Sequence, residues 1–166
     1  MEITQAKPAD LIEILYLQKV CMLDMNRKGL KHWNCALPDT QTIVDDLQAG
    51  NIYLAKDKGV CKGMVTLCEK QPEDYDQLTF TPGWTNPLYL HRMAVHPKWQ
   101  GTGIAGKMIE FAQKLAREKG CNCMRLDVYQ PYEDARHLCE KQRFKEVGTF
   151  HTASQKIPFV CYEKQV

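Results

Sequence analysis

The segment that most restricts how this chain can fold runs from Leu88 to Met108. Leu88 to Val95, "LYLHRMAV", is a β-prone run, His96 to Lys98 form a proline-containing connector, and Trp99 to Met108 read "WQGTGIAGKM". Ile104, Met108, Phe111, Ala112 and Leu115 then recur at helical spacing, which predicts a helix over 103–119 closed by Gly120. A strand that passes through glycines into a helix is an anion-binding arrangement. Without side chains in the way, backbone N–H groups at the helix N-terminus can approach a phosphate. The glycines admit three readings. Gly101, Gly103 and Gly106 spell G-x-G-x-x-G, Gly101 to Lys107 spell most of G-x-x-x-x-G-K, and Gln100, Gly103 and Ala105 spell Q-x-x-G-x-A.

The surrounding residues separate these readings. A G-x-x-x-x-G-K loop needs Ser or Thr next, to ligand magnesium, and the residue here is Met108. The dinucleotide reading has one point in its favour: Asp127 stands 21 residues beyond Gly106, where a ribose-binding acid belongs. Against it, the five residues His96 to Gln100 separate strand from glycine, and only about 60 residues follow Gly106, too few for the remaining strands and a substrate domain. It stays as a distant alternative. The third pattern resembles the pyrophosphate loop of an acyl-CoA-dependent transferase, a resemblance that implies a connector of this kind between strand and loop.

Along the rest of the chain, residues 1–5 read as a strand. Pro8 opens a helix carrying Leu11, Ile14, Leu15 and Met22, and residues 26–38 read as a loop. Asp39 or Thr40 caps a short helix with Ile43, Val44 and Leu47, stopped by Gly50. Ile52 to Ala55 and Val60 to Leu67 form a hairpin around Asp57, Lys58 and Gly59. Residues 71–87 are a long connection rich in proline, acid and aromatics, of a length that is often functional. A strand over 121–129, a helix over about 132–142 and strands over 144–150 and 159–162 complete the order.

With the motifs set out, Leu90 to Ala105 resembles the central motif of the GNAT superfamily of N-acetyltransferases, a strand ending x-A-V-x-P followed by Q/R-x-x-G-x-G/A. The order of elements along nearly the whole chain is also that of the family. A second, weaker motif runs from Val128 to Phe144, where Ala135, Leu138 and Phe144 match while Tyr132 stands for Asn, Cys139 for Tyr and Arg143 for Gly. The resemblance implies an α/β (α+β) GNAT fold: a mixed, mostly antiparallel central sheet of about six or seven strands, flanked by about four helices. It implies one N-acetyltransferase domain over residues 1–166, a length that buries a sizeable core unaided.

Composition limits the partners. Lys plus Arg, 22, nearly balances Asp plus Glu, 20, so no strong field recruits nucleic acid or an anionic membrane surface. No apolar run reaches the roughly 18–20 residues that span a bilayer, and no secretory signal opens the chain. There are eight cysteines but no C-x-x-C pair, and most sit among apolar residues, where cysteine behaves as a small hydrophobe. Reduced thiols, a cytoplasmic location and no metal are the expectation.

The resemblance also implies the chemistry: direct attack of a neutral primary amine on acetyl-CoA, with both bound together. The loop from Gln100, through Gly101, Thr102, Gly103, Ile104, Ala105 and Gly106, to Lys107 would hold the diphosphate. Backbone groups of Met93, Ala94 and Val95 would hold the pantetheine arm and polarise the thioester, with Tyr132 a further cofactor contact. His91 is the first candidate base, because strand alternation puts Tyr89, His91 and Met93 on one face and an imidazole titrates near neutrality. Glu69 is the runner-up. Cys139 occupies the position of the family's acid, with Tyr132 or Tyr129 as substitutes. The 3′-phosphate would fall to one or two of Lys98, Lys107, Arg136 and Arg143. Trp33, Tyr75 and Trp84 would line the acceptor site for a small-molecule or peptide amine, and a homodimer is compatible with the reading. A non-catalytic acetyl-CoA-binding module is the alternative in kind, motivated by the Cys139, Tyr132 and Arg143 departures.

Overall fold

The computed structural model describes residues 1–33, 39–153 and 155–166. Part of the expected 26–38 loop therefore lies outside the described residues. In chain order the strands and α-helices are β1 (Glu2–Gln5), α1 (Leu11–Arg27), α2 (Thr40–Gln48), β2 (Ile52–Asp57), β3 (Val60–Cys68), β4 (Pro87–Val95), α3 (Ile104–Glu118), β5 (Cys123–Tyr129), α4 (Glu133–Lys141), β6 (Lys145–Phe150) and β7 (Phe159–Gln165). The seven strands form one sheet in the order β1-β2-β3-β4-β5-β7-β6. β4 and β5 are parallel, while β1–β2, β2–β3, β5–β7 and β6–β7 are antiparallel. This is the mixed, mostly antiparallel sheet with four α-helices that the motif order implies.

The chain divides into two compact units, Met1–Leu67 with Arg92–Met108, and Cys68–His91 with Ile109–Val166. In the first, Pro8 opens a short 3-10 turn (Pro8–Asp10) rather than the α-helix, which begins at Leu11 and runs five residues past Met22. Asp39 caps α2 as expected, its Oδ1 accepting the Thr42 N–H at 2.6 Å. Lys58 and Gly59 both take positive φ (50° and 79°), the conformation a two-residue hairpin turn between β2 and β3 requires. Ile14, Leu17, Ile43, Ile52, Leu54 and Met64 form the buried interior of this unit. Gly63 on β3 has a packing reason to be glycine. A Cβ there would lie 3.0 Å from the Ala94 carbonyl oxygen and 3.2 Å from Met108 Cε.

In the second unit, β5 pairs with β7 over its whole length, Cys123↔Gln165 to Tyr129↔Phe159. Residues 71–87 are less irregular than the sequence suggests, because Glu73–Gln77 forms a 3-10 turn. Its Tyr75 packs with Tyr89, Phe150 and Cys161 in an aromatic cluster, against which Leu78 and Phe80 also lie. The α4 helix ends in a Schellman turn: Phe144 N–H bonds the Cys139 carbonyl and Arg143 N–H bonds that of Glu140, both at 2.9 Å. Arg143, where the family motif has Gly, takes φ 62°.

Candidate active site

The phosphate-loop candidate belongs to the first unit and is braced by its own side chains. The Val95 carbonyl, ending β4, accepts from Cys21 Sγ at 3.4 Å and from Gln100 Nε2 at 3.1 Å. Gln100 Nε2 also reaches Asp24 Oδ2 at 3.4 Å, and its Oε1 accepts from Lys28 Nζ at 2.9 Å. Gln100 therefore ties the loop to the strand end and to α1 through its side chain. Thr102 Oγ1 donates to the Trp99 carbonyl at 2.6 Å, so its hydroxyl is likewise spent inside the loop. The connector is equally fixed. His96 Nδ1 accepts the Lys98 N–H at 3.2 Å, and Trp99 lies 4.8 Å ring to ring from His96, with Lys62 and Lys98 ammoniums about its face.

Beyond this brace lie the loop's glycines and the first turn of α3. Gly101 and Gly103 adopt φ 75° and 85°, a region costly to any residue with a Cβ. Gly101, Thr102 and Gly103 are exposed. A Cβ built on either Gly101 or Gly103 would meet nothing within 4 Å. Lys107 N–H, bonded to the Gly103 carbonyl at 3.1 Å, is the first α3 amide paired in the helical pattern. Ile104, Ala105 and Gly106 carry the unsatisfied first-turn donors that every helix start presents. With the positive end of the helix dipole, they suit a diphosphate. Ile104 is buried and anchors the helix start, and Lys107 is exposed beside it.

β4 departs from simple alternation. Arg92 has φ 48° in mid-strand and pairs with Asp46 on α2. Tyr89 and His91 precede this residue and Met93 follows it. Met93 and Val95 are half-buried and Ala94 is buried.

The acid–base candidates belong to the second unit. His91 is half-buried, its ring 6.1 Å from that of Tyr89 and nearly parallel, at 9°. Glu69 lies in the bend after β3 and is held at 2.7 Å by Lys119, which makes it a surface ion pair. Cys139 is 3 % exposed, and burial pushes its thiol up to about 12. An acid that weak is mismatched to a CoA thiolate, whose conjugate acid titrates near the ordinary thiol value of about 8.5. The Cys139 side chain is buried on α4. Tyr132, half-buried, is the N-cap of α4, its N–H on the Tyr129 carbonyl at 2.8 Å.

Of the acceptor-site candidates, Tyr75 is 1 % exposed and its hydroxyl donates to Asp127 Oδ1 at 2.7 Å. That bond also gives Asp127, the would-be ribose acid, a structural partner. Trp84 is half-buried, with its carbonyl accepting from Arg125 Nη2 at 2.7 Å. Trp33, in the first unit, is half-buried and 6.4 Å ring to ring from His32. Sequence reasoning missed Arg125 and Glu163, a buried pair with Nε to Oε2 at 3.6 Å. It also missed Cys21, Asp24 and Lys28 behind Gln100. Among the described residues no group of three or more His, Cys, Asp or Glu is placed to hold a metal ion, and no helix is long and apolar enough to cross a membrane.

A strand end, a braced glycine loop and the start of α3 thus lie together in the first unit. The acetyltransferase (GNAT) family model matches residues 19–144, and the chain belongs to that family. Acetyltransferase Atu2258 of Agrobacterium fabrum is 30% identical over 83 residues, a match that spans 50% of this chain and 57% of that protein. A GNAT-family acetyltransferase from Streptococcus agalactiae superposes with a TM-score of 0.85 at 19% identity, covering 99% of this chain and 95% of that one. The yncA acetyltransferase of Salmonella typhimurium, solved with its cofactor acetyl-CoA, superposes at 0.71 and 17% identity, covering 99% and 93%. At these identities the structural likenesses speak for the fold.

Proposed function

We propose that this protein is an acetyl-CoA-dependent N-acetyltransferase that acetylates a primary amine by direct attack, with both substrates bound together. The observation that carries the reading is the braced glycine loop, with exposed positive-φ Gly101 and Gly103 leading into α3, in a chain of the GNAT family; the N–H groups of a first helical turn, which have no acceptor within the helix, suit a diphosphate. Acetyl-CoA, when bound, supplies the acetyl group as a thioester. The chain supplies everything else. Residues 100–107 hold the diphosphate through backbone N–H groups, and Lys107 adds a cation. Backbone groups of Met93, Ala94 and Val95 hold the pantetheine arm and polarise the reacting carbonyl, a contribution that is commonly the largest in acyl transfer. His91 takes the proton that the ammonium acceptor must lose before attack. Tyr132 takes the acid's place left by Cys139. Trp84 contacts the acceptor, which is a small-molecule or peptide amine. Among the described residues seven cysteines are free and six of them are buried, which fits a reducing cytoplasmic setting.

A second reading, an acetyl-CoA-binding module without turnover, draws on the buried Cys139 thiol at the family's acid position. One experiment decides between them. Acetyl-CoA should raise the Tm, since a ligand that binds only the folded state stabilises it, while NAD and ATP–magnesium should not. Thiol release should then be followed with amino acids, spermidine, an aminoglycoside and a peptide with a free N-terminus. Amine-dependent CoA release supports the enzyme. A Tm shift with no release from any of them supports the binding module, and no shift with acetyl-CoA rejects both.

A further inference from the structure

The second unit spends two buried charges on a loop. Arg125 on β5 is 5 % exposed and Glu163 on β7 is 3 % exposed, directly paired in the β5–β7 register. Their facing atoms, Nε and Oε2, are 3.6 Å apart and neither has a hydrogen-bond partner. Such a pair is a poor source of stability, because desolvation of both charges offsets their attraction. What the two side chains do make are contacts to residues 71–86. Arg125 Nη2 donates to the Trp84 carbonyl at 2.7 Å, and its guanidinium lies 3.6 Å over the Phe80 ring. Glu163 Oε1 accepts the Thr81 N–H at 3.0 Å and also the Thr81 hydroxyl. Arg125 Nη1 reaches the Tyr89 hydroxyl at 3.5 Å, and that hydroxyl donates to Gln71 Oε1 at 2.9 Å. Tyr89 in turn lies parallel to the His91 ring. In register, Tyr89 pairs with Arg125 and Arg125 with Glu163, so all three stand on one sheet face, with His91 two residues on from Tyr89.

We infer that Arg125 and Glu163 are positioning residues for the amine acceptor: they clamp the 71–86 segment over the sheet face that carries His91. Tyr75 is tied to Asp127, and Gly83 and Asn86 to Asn122, but between them Thr81 and Trp84 are held through Glu163 and Arg125, and ordering a looser segment there on binding would cost affinity. The clamp orders it in advance. The inference rests on the acetyl-transfer reading for its acceptor half and on geometry alone for the clamp.

The test is the double variant Arg125→Met/Glu163→Leu in the full chain, which removes both charges together and leaves none buried alone. The expected result has two parts. Backbone amides of residues 82–86 should exchange with deuterium at least about tenfold faster, with the Tm still within a few degrees of the parent. The KM for whichever amine of the panel turns over should rise about tenfold, while the KM for acetyl-CoA stays within about twofold. Arg125→Lys, which keeps a charge for Glu163 but lacks the planar fork, should give an intermediate amine KM. Unchanged exchange overturns the clamp. Faster exchange with an unchanged amine KM, or with both KM values rising together, overturns the acceptor role. If no amine turns over, the acceptor half falls with the enzyme reading, and the exchange result still decides the clamp.

Discussion

Gln100 Nε2 lies 3.1 Å from the Val95 carbonyl oxygen, across the connector that separates β4 from the glycine loop. With its further bonds to Asp24 and Lys28, this side chain holds the loop in place. Its task in the Q-x-x-G-x-A motif is therefore to brace the loop. Gln100→Ala should weaken acetyl-CoA binding about tenfold, equivalent to about 1.4 kcal/mol, through loss of preorganisation. Lys28→Met, which removes one of the braces without touching the loop, should have a smaller effect in the same direction. Calorimetric titration of both variants checks this, and an unchanged affinity in Gln100→Ala would show that the loop keeps its shape without the brace.

Arg143 gives a prediction about stability. It occupies the left-handed residue of the Schellman turn after α4, φ 62°, where a Cβ costs about 1–2 kcal/mol relative to glycine. Arg143→Gly should stabilise the fold by up to about 1 kcal/mol, once the extra freedom of glycine in the unfolded chain is allowed for. For a chain of this size that is a Tm increase of about 2–4 °C. Arg143→Ala keeps the strained backbone and should show no such gain. Thermal unfolding of the pair separates backbone strain from any effect of the lost charge.

Buried thiols make the fold sensitive to alkali. Burial raises Cys139 from 9.0 to about 12, and Cys21 and Cys161 likewise to about 12. Below pH 9 each thiol is protonated in both folded and unfolded chains, and this imposes no pH dependence. Between pH 9 and 12 the unfolded chain loses protons that the folded chain keeps, so stability falls as pH rises. At pH 10.5 each such thiol contributes a loss of about 2 kcal/mol. Cys139→Ala should therefore lose less Tm between pH 7.5 and pH 10.5 than the parent. Equal losses would mean that Cys139 ionises freely in the folded protein.

The fold was largely legible because the glycine loop, the capped helices and the hairpin turn are local signals. Asp39, Gly59, Gly101 and Gly103 all carry in their own chemistry the conformation they adopt. What stayed hidden depends on partners distant in sequence. "CMRLDVY" and "FVCYEKQ" each place two charged residues in an otherwise apolar strand, Arg125 and Asp127 in the one and Glu163 and Lys164 in the other, a sign that partners are needed. Only the β5–β7 register says that Arg125 and Glu163 find each other. Tyr75 read as a pocket aromatic because nothing local distinguishes a loop aromatic that lines a cavity from one folded into the core. The break at Arg92 was invisible for a similar reason: alternation in "LYLHRMAV" is unremarkable, and an arginine gives no warning of positive φ.

The last prediction concerns His91. It is half-buried on the strand that leads to the phosphate loop, with its ring held parallel to Tyr89. As the general base it must be neutral to accept the amine proton, so activity should fall on acidification as the imidazole becomes charged. His91→Ala should lower kcat/KM by roughly 10²-fold and leave acetyl-CoA affinity within about twofold, since the residue takes no part in the diphosphate cradle. The acid limb of the pH profile should disappear or move in the variant. Glu69→Gln is the matched control. Because Glu69 is engaged with Lys119 at the surface, this change should leave both rate and profile as they were. Steady-state kinetics against pH for the two variants, with an amine taken from the panel, makes the comparison. A profile unmoved by His91→Ala but shifted by Glu69→Gln would transfer the base to the carboxylate.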